Sequence, residues 1–252
     1  TAVFRPIVLV PVFDHEHAIG AMVEAILRHP WPCLLVDDGS GPACSQVLRD
    51  LADAHGERVI LIRLPQNRGK GAAMMAGFQE AAKLGYTHAL QIDADGQHNA
   101  DDIARFFTLA RENPTAVIAG CPVYDQTVPR HRFYFRYLTH ILVWINTLSF
   151  EIRDSMFGLR VYPLDAVTAL MQDVRLGHHM EFDTEVIVRL YWRGVPVVNV
   201  PTRGTYPSDG VSHFDVWRDN VRISRMHTRL FFGMLRRAPR LLWRRVAGTA
   251  AA

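Results

Sequence analysis

Four short apolar runs, each ending in a polar, glycine-containing cluster and each followed by a helical pattern, constrain this chain more than any other feature. Ile7 to Phe13, Cys33 to Val36, Val59 to Leu64 and Thr87 to Ile92 read as buried strands. Ala18 to Arg28, Gln46 to His55, Gly71 to Leu84 and Asp101 to Arg111 read as the helices between and after them, and Ala116 to Ala119 as a fifth strand. Alternation of this kind predicts an α/β fold with a mostly parallel, Rossmann-like sheet flanked by helices. Ligands in such sheets sit beyond the carboxyl ends of the strands. The polar clusters fall there: PVFDHE, DDGSG, PQNRGKG and DADGQH, in chain order. Each alone is an ordinary turn composition. Four at successive strand ends point to a shared site.

The second half is less regular. Val128 to Arg132 reads as a basic loop, Phe133 to Leu148 as an aromatic-rich helix, and Asp154 to Arg160 (DSMFGLR) as a loop entering a short strand. Met180 to Trp192 reads as a helix, Val195 to Val200 as a strand and Arg203 to Phe214 as a Gly/Ser/Pro loop, with helix from Asp215 onward. This divides the chain into a body, residues 1–214, and a basic amphipathic helical tail, residues 215–252.

Charge sharpens that division. The net charge of +3 comes from 28 basic and 25 acidic residues, and all but Lys70 and Lys83 of the basic ones are Arg. From residue 218 on there are nine Arg and one acid, Asp219, so an acidic body carries a strongly basic tail. Such asymmetry fits nucleic acid or an anionic membrane surface. Three scattered cysteines, Cys33, Cys44 and Cys121, argue against a disulfide framework and for a reducing compartment. The most apolar stretch, Phe133 to Phe150, is broken by Arg136, His140 and Asn146, short of the ~18 uninterrupted residues a membrane span needs. The first apolar run is broken by Pro11 and reads as a strand, not a secretory signal.

Asp93 and Asp95 end a buried run two residues apart, with Gln97 and His98 following. Hard oxygen ligands of this kind suit Mg²⁺ or Mn²⁺ bridging substrate phosphates; an Asx turn reads the same residues equally well. Asn67 to Gly71 places two cations and two glycines before a helix, a setting that favours anions. It lacks the P-loop pattern, and no Gly-x-Gly-x-x-Gly follows the first strand, which disfavours P-loop and dinucleotide-dependent enzymes. His15 and His17, and the pair His178-His179, lack the spacing of a helical zinc pair.

PVFDHE, VDDGSG, NRGKGAAMMAGF and QIDADGQH, in this order and spacing, resemble family-2 glycosyltransferases of the GT-A fold, over roughly residues 5–205. The nearer resemblance is to the dolichol- and polyprenol-phosphate sugar synthase branch. DSMFGLR is similar to a segment of that branch, and the YPSDGVSHF and MHTRLFFGML segments resemble glycosyltransferases of bacterial lipid and aryl-polyene pathways. The resemblance implies that Pro11, Phe13 and Asp38 hold the nucleotide. It further implies that Asp95 and Gln97 ligate the metal with Asp93 beside them, that Lys70 lies near base or phosphates, and that Arg160 faces a phosphate. One departure is that Asp14-His15 stand where the family pattern has Asn-Glu, with Glu16 one place late.

The expected reaction is inverting, metal-dependent transfer of a sugar from a nucleotide-sugar to a polyprenyl phosphate or lipid-like hydroxyl. A hydroxyl acceptor needs a general base and an ionised phosphate does not. The candidate bases are Asp183, Asp154 and Glu185. Glu181 shares a helical face with Glu185. His213, in the Gly-Val-Ser-His loop, is a candidate for closing over the donor. Arg218, Arg222, Arg225 and Arg229 form one helical stripe beside leucines and aromatics, as on a helix lying at an anionic lipid surface. The expected place is therefore cytoplasmic, on the inner face of the cytoplasmic membrane, with no nucleic-acid partner. A nucleotidyltransferase on a similar sheet, or a nucleic-acid-binding protein using the Arg tail, are the alternatives.

Overall fold

The computed structural model describes residues 3–96, 99–123, 130–203 and 216–249. In chain order the elements are β1 (Pro6–Val12), α1 (Glu16–Leu27), β2 (Cys33–Asp37), α2 (Pro42–His55), β3 (Val59–Arg63), α3 (Lys70–Lys83), β4 (His88–Gln91) and α4 (Asp102–Glu112). The second half adds β5 (Val117–Val123), α5 (Arg130–Thr147), β6 (Arg160–Pro163), α6 (Leu164–Asp173), α7 (Phe182–Trp192), β7 (Val197–Arg203) and α8 (Val216–Thr249). The strands form one sheet in the order β3-β2-β1-β4-β6-β5-β7. All neighbours are parallel except β6, which runs antiparallel to both β4 and β5.

Burial on both faces explains the continuous apolar runs. Ile7 and Leu9 of β1 point into a core shared with α3, α6, α7 and α8. Val8, Val10 and Val12 point into the opposite core, under α1 and α4. Each such side chain contributes about 1.5–3 kcal/mol when fully removed from water. β6 pairs with β5 only at Ile118 and Ala119. Beyond them, among the described residues, β5 has β7 as its one strand neighbour, where Pro122 costs no ladder bond on the other side.

Three features differ from the sequence reading. Helix α6 was not expected; its spacing Leu164, Val167, Leu170 is apolar and buried, but the helix is short. Arg130 to Arg132, read as loop, already belong to α5. The tail is a single helix, α8, with Pro239 inside it. Its Met226, Leu230, Met234 and Leu241 are buried in the same core as β1 and α7. No helix among the described residues is long and apolar enough to cross a membrane.

Candidate active site

The polar strand ends meet as the sequence required, and short-range bonds fix them to one another. Asp37 ends β2 and accepts bonds from Ser40 N, Ser45 Oγ and Arg63 Nη1. Asp38, next in the chain, turns its carboxylate to Arg68 N at 2.9 Å and Gly69 N at 2.8 Å, and so pins the NRGKG loop. Burial raises the Asp38 carboxyl above its usual range, against those two bonds. Gly69 has φ +95°, and a Cβ there would lie 2.3 Å from His179 Nδ1, so only glycine fits. Asp14 sits at φ 51°, a conformation Asp tolerates, and its Oδ1 accepts Gly41 N at 2.7 Å.

Lys70 opens α3 directly after that glycine. Its Nζ lies 2.8 Å from Asp93 Oδ1 and 2.8 Å from Asp183 Oδ2. Burial alone would lower the ammonium, but the charges and hydrogen bonds of Asp183 and Asp93 more than offset it, so Lys70 is held above its usual range. Asp183 Oδ1 accepts Gln91 Nε2 at 2.9 Å. Gly158 leaves room for Asp93: a Cβ there would lie 2.2 Å from Asp93 Oδ2.

Asp38, Gly69, Lys70, Asp93, His179 and Asp183 line one cavity of about 570 Å³ at the carboxyl ends of β1, β2 and β4. Of the residues singled out in the sequence, Pro11, Phe13, Asp38, Lys70, Asp93, Asp95 and Asp183 line it. Gln97 and His213 lie outside the described residues. Among the described residues no three of His, Cys, Asp and Glu stand close enough to form a metal cage. Asp93 and Asp95 together offer the hard oxygen donors that fit a divalent ion completing its shell with water and substrate phosphate.

Three expected residues are not in the lining, and each has a structural reason. Asp154 is buried and accepts Met156 N and Phe157 N, both at 2.8 Å, which shapes the SMFG turn. Arg136 Nη2 lies 2.6 Å and His140 Nε2 3.4 Å from Asp154 Oδ2. Burial would raise this carboxyl, but the His140 hydrogen bond and the Arg136 charge take it down to about 2. Glu185 is fully buried and joins Gly177 N, Arg189 and Arg229, tying α7 to α8. Arg160 is also fully buried; its Nη1 donates to Asp183 O at 2.6 Å and to Tyr162 OH at 3.3 Å. β6 alternation turns Arg160 to the same face as Tyr162, and it is not in the cavity lining.

The cavity also takes in residues that sequence reasoning left out. Thr139 and Met156 line it, and so do Asn67, Glu181, Asp219, His15 and His179, which the sequence reading named without giving them a place in the site. Arg218 and Arg222 of α8 line it too, although their stripe read as a surface feature. Burial, and after it the positive charge of Arg222, lowers the His179 imidazole below its usual range.

Known proteins resemble this chain in sequence and in fold. The chain is 24% identical over 213 residues to a UDP-N-acetylglucosamine–dolichyl-phosphate N-acetylglucosaminyltransferase of Methanococcus voltae, covering 79% of this chain and 84% of that protein. It is 26% identical over 222 residues to a polyprenol monophosphomannose synthase of Mycolicibacterium smegmatis, covering 82% and 80%. Among solved structures, glucosyl-3-phosphoglycerate synthase from Mycobacterium tuberculosis, in complex with Mn²⁺ and UDP-glucose, superposes with a TM-score of 0.62 at 13% identity, covering 92% of this chain and 79% of that one. The fold is the GT-A glycosyltransferase fold. The model of the family described as "Glycosyl transferase family 2" matches residues 7–168, and this chain, a glycosyltransferase, belongs to that family.

Proposed function

We propose that the protein transfers a sugar from a nucleotide-sugar to a lipid-linked acceptor, a polyprenyl phosphate or a lipid-like hydroxyl, with inversion at the anomeric carbon. The observation that carries this reading is the meeting of Pro11, Phe13, Asp38, Lys70, Asp93, Asp95 and Asp183 in one cavity. Pro11, Phe13 and Asp38 hold the nucleoside end. Asp93 and Asp95, with Gln97 following in sequence, would hold Mg²⁺ or Mn²⁺, which when bound neutralises the diphosphate leaving group. Lys70 keeps the two carboxylates Asp93 and Asp183 in register. The acceptor oxygen attacks from the face opposite the diphosphate, the bond to the diphosphate breaks, and the nucleoside diphosphate leaves with the electron pair. A hydroxyl acceptor gives its proton to Asp183, the one of the three expected bases that lines the cavity. An ionised phosphate has no proton to give.

The lipid side of the reading is supported by the relatives named above and by α8. Opposite its buried face, α8 exposes Trp217, Leu235, Leu242, Trp243 and Val246. Its Arg stripe runs along the flank between the two. A helix of this kind suits the headgroup level of an anionic membrane on the cytoplasmic side. On this view the body, residues 1–214, holds the donor, and residues 215–252 bring the site to the lipid.

Incubation with UDP-, GDP- and dTDP-sugars, Mn²⁺ and either undecaprenyl phosphate or undecaprenol in anionic vesicles tests the reading. The expected result is acceptor-dependent release of a nucleoside diphosphate and a sugar-bearing lipid. No acceptor-dependent release across the panel contradicts it.

A further inference from the structure

The cavity has two walls of unlike charge. One carries Asp38, Asp93, Asp95 and Asp183, and its cation, Lys70, is held between two of these carboxylates. The other is α8, whose Arg218 and Arg222 stand one helical turn apart in the lining. Asp219 is buried, and its Oδ1 lies 2.8 Å from Arg222 Nη1, which holds the guanidinium at this wall. His179 and Arg222 both line the cavity, so guanidinium and imidazole border the same space. Glu181 is folded over Gly177, where a Cβ would lie 2.4 Å from its Cγ. Outside the cavity the stripe continues at the exposed Arg225 and Arg229.

We infer that Arg218 and Arg222 form a phosphate subsite on the α8 wall, separate from the carboxylate wall. Guanidinium groups present planar, paired donors that match phosphate oxygens. The first turns of a helix add a positive field of their own. The phosphate is that of a lipid acceptor or that of the donor diphosphate; only this choice of carrier rests on the sugar-transfer reading. On either, one helix carries the lipid-facing surface and a phosphate contact of the reaction site.

Calorimetric titration of the full chain with inorganic pyrophosphate, free of metal, tests the subsite. The expected result is binding that weakens at least fivefold in Arg218→Gln and at least tenfold in Arg218→Gln/Arg222→Gln. Arg218 is exposed, and the melting temperature of each variant, measured beside its affinity, keeps the test valid even where loss of Arg222 strains the buried Asp219. Equal affinity in wild type and Arg218→Gln, or no binding by wild type, overturns the inference. The same proteins are then titrated with farnesyl phosphate, with farnesol as the phosphate-free control, and with nucleotide-sugars of the UDP, GDP and dTDP series plus Mn²⁺. Loss confined to farnesyl phosphate supports the subsite as an acceptor site, and loss confined to the nucleotide-sugar supports it as a donor site. If wild type binds neither while pyrophosphate still distinguishes the variants, the sugar-transfer reading fails and the subsite stands.

Discussion

Lys70 Nζ stands 2.8 Å from Asp183 Oδ2, across 113 residues of sequence. The contact joins the first residue of α3 to the first turn of α7, and through Asp93 it reaches the end of β4. Removing one partner of such a buried pair leaves the other charges uncompensated, at a cost of about 3–5 kcal/mol. Lys70→Gln is therefore expected to lose both stability and transfer. Urea unfolding and a turnover assay check the two effects; a variant as stable and active as wild type removes Lys70 from the account.

Asp183→Asn keeps the shape of the side chain while removing one of the two carboxylates on Lys70, with some loss of stability. With a hydroxyl acceptor, the expected outcome is donor binding within about twofold of wild type and transfer reduced on the order of 10²–10⁴-fold. Full activity with a hydroxyl acceptor excludes Asp183 as the base. Activity retained only with a phosphate acceptor agrees with an acceptor that needs none.

Asp154 and Glu185 are expected to behave differently from Asp183. The Asp154 carboxyl is depressed to about 2 in the folded protein, below the ordinary carboxylate value. Its stabilising contribution is full above pH ~4 and is lost as pH falls through about 2, on the order of 2 kcal/mol in all. Asp154→Asn should lower the melting temperature at pH 7 and flatten the acid limb of stability between pH ~4 and ~2. Urea unfolding across that range is the measurement, and an unchanged acid limb contradicts the assignment.

His227 of α8 is buried against Asn146 of α5, with Asn146 Nδ2 and His227 Nδ1 3.2 Å apart. Burial lowers its imidazole to about 4, so the folded protein holds it neutral where an unfolded chain would bind a proton. Stability is then complete above pH ~6.5 and declines as pH falls toward about 4, by on the order of 3 kcal/mol. His227→Gln should remove most of that decline, read as the difference in unfolding free energy between pH 7.5 and pH 4.5. An equal decline in both proteins rejects the linkage.

The first five strands were legible because each sets apolar residues into both cores, although β3 is only partly buried and β4 carries His88 and Gln91. The short strand β6 was legible after DSMFGLR, but its antiparallel direction and helix α6 were not, since strand direction leaves no mark on composition and a helix of ten residues is too short to show its period clearly. The strand-end clusters announced the carboxylate wall of the cavity. They did not reveal that Asp154 and Glu185 serve packing, because residue type in a sequence says nothing of the partner that arrives from elsewhere. Arg136 reaches Asp154 from 18 residues away, and Arg229 reaches Glu185 from 44. Arg218 and Arg222 were misplaced for the same reason: their spacing shows a stripe, and only the docking of α8 on α5 and α7 turns its first two members toward the cavity.

On the proposed function, this cavity binds a nucleotide-sugar through a divalent ion held at Asp93 and Asp95. Titration of wild type and Asp95→Asn with the UDP-, GDP- and dTDP-sugar series, with Mn²⁺ and with EDTA in its place, tests it most directly. The account predicts that one nucleotide class binds wild type, and that EDTA or Asp95→Asn weakens it at least tenfold with the fold intact by circular dichroism. Binding of equal strength with and without metal, or in Asp95→Asn, would contradict it.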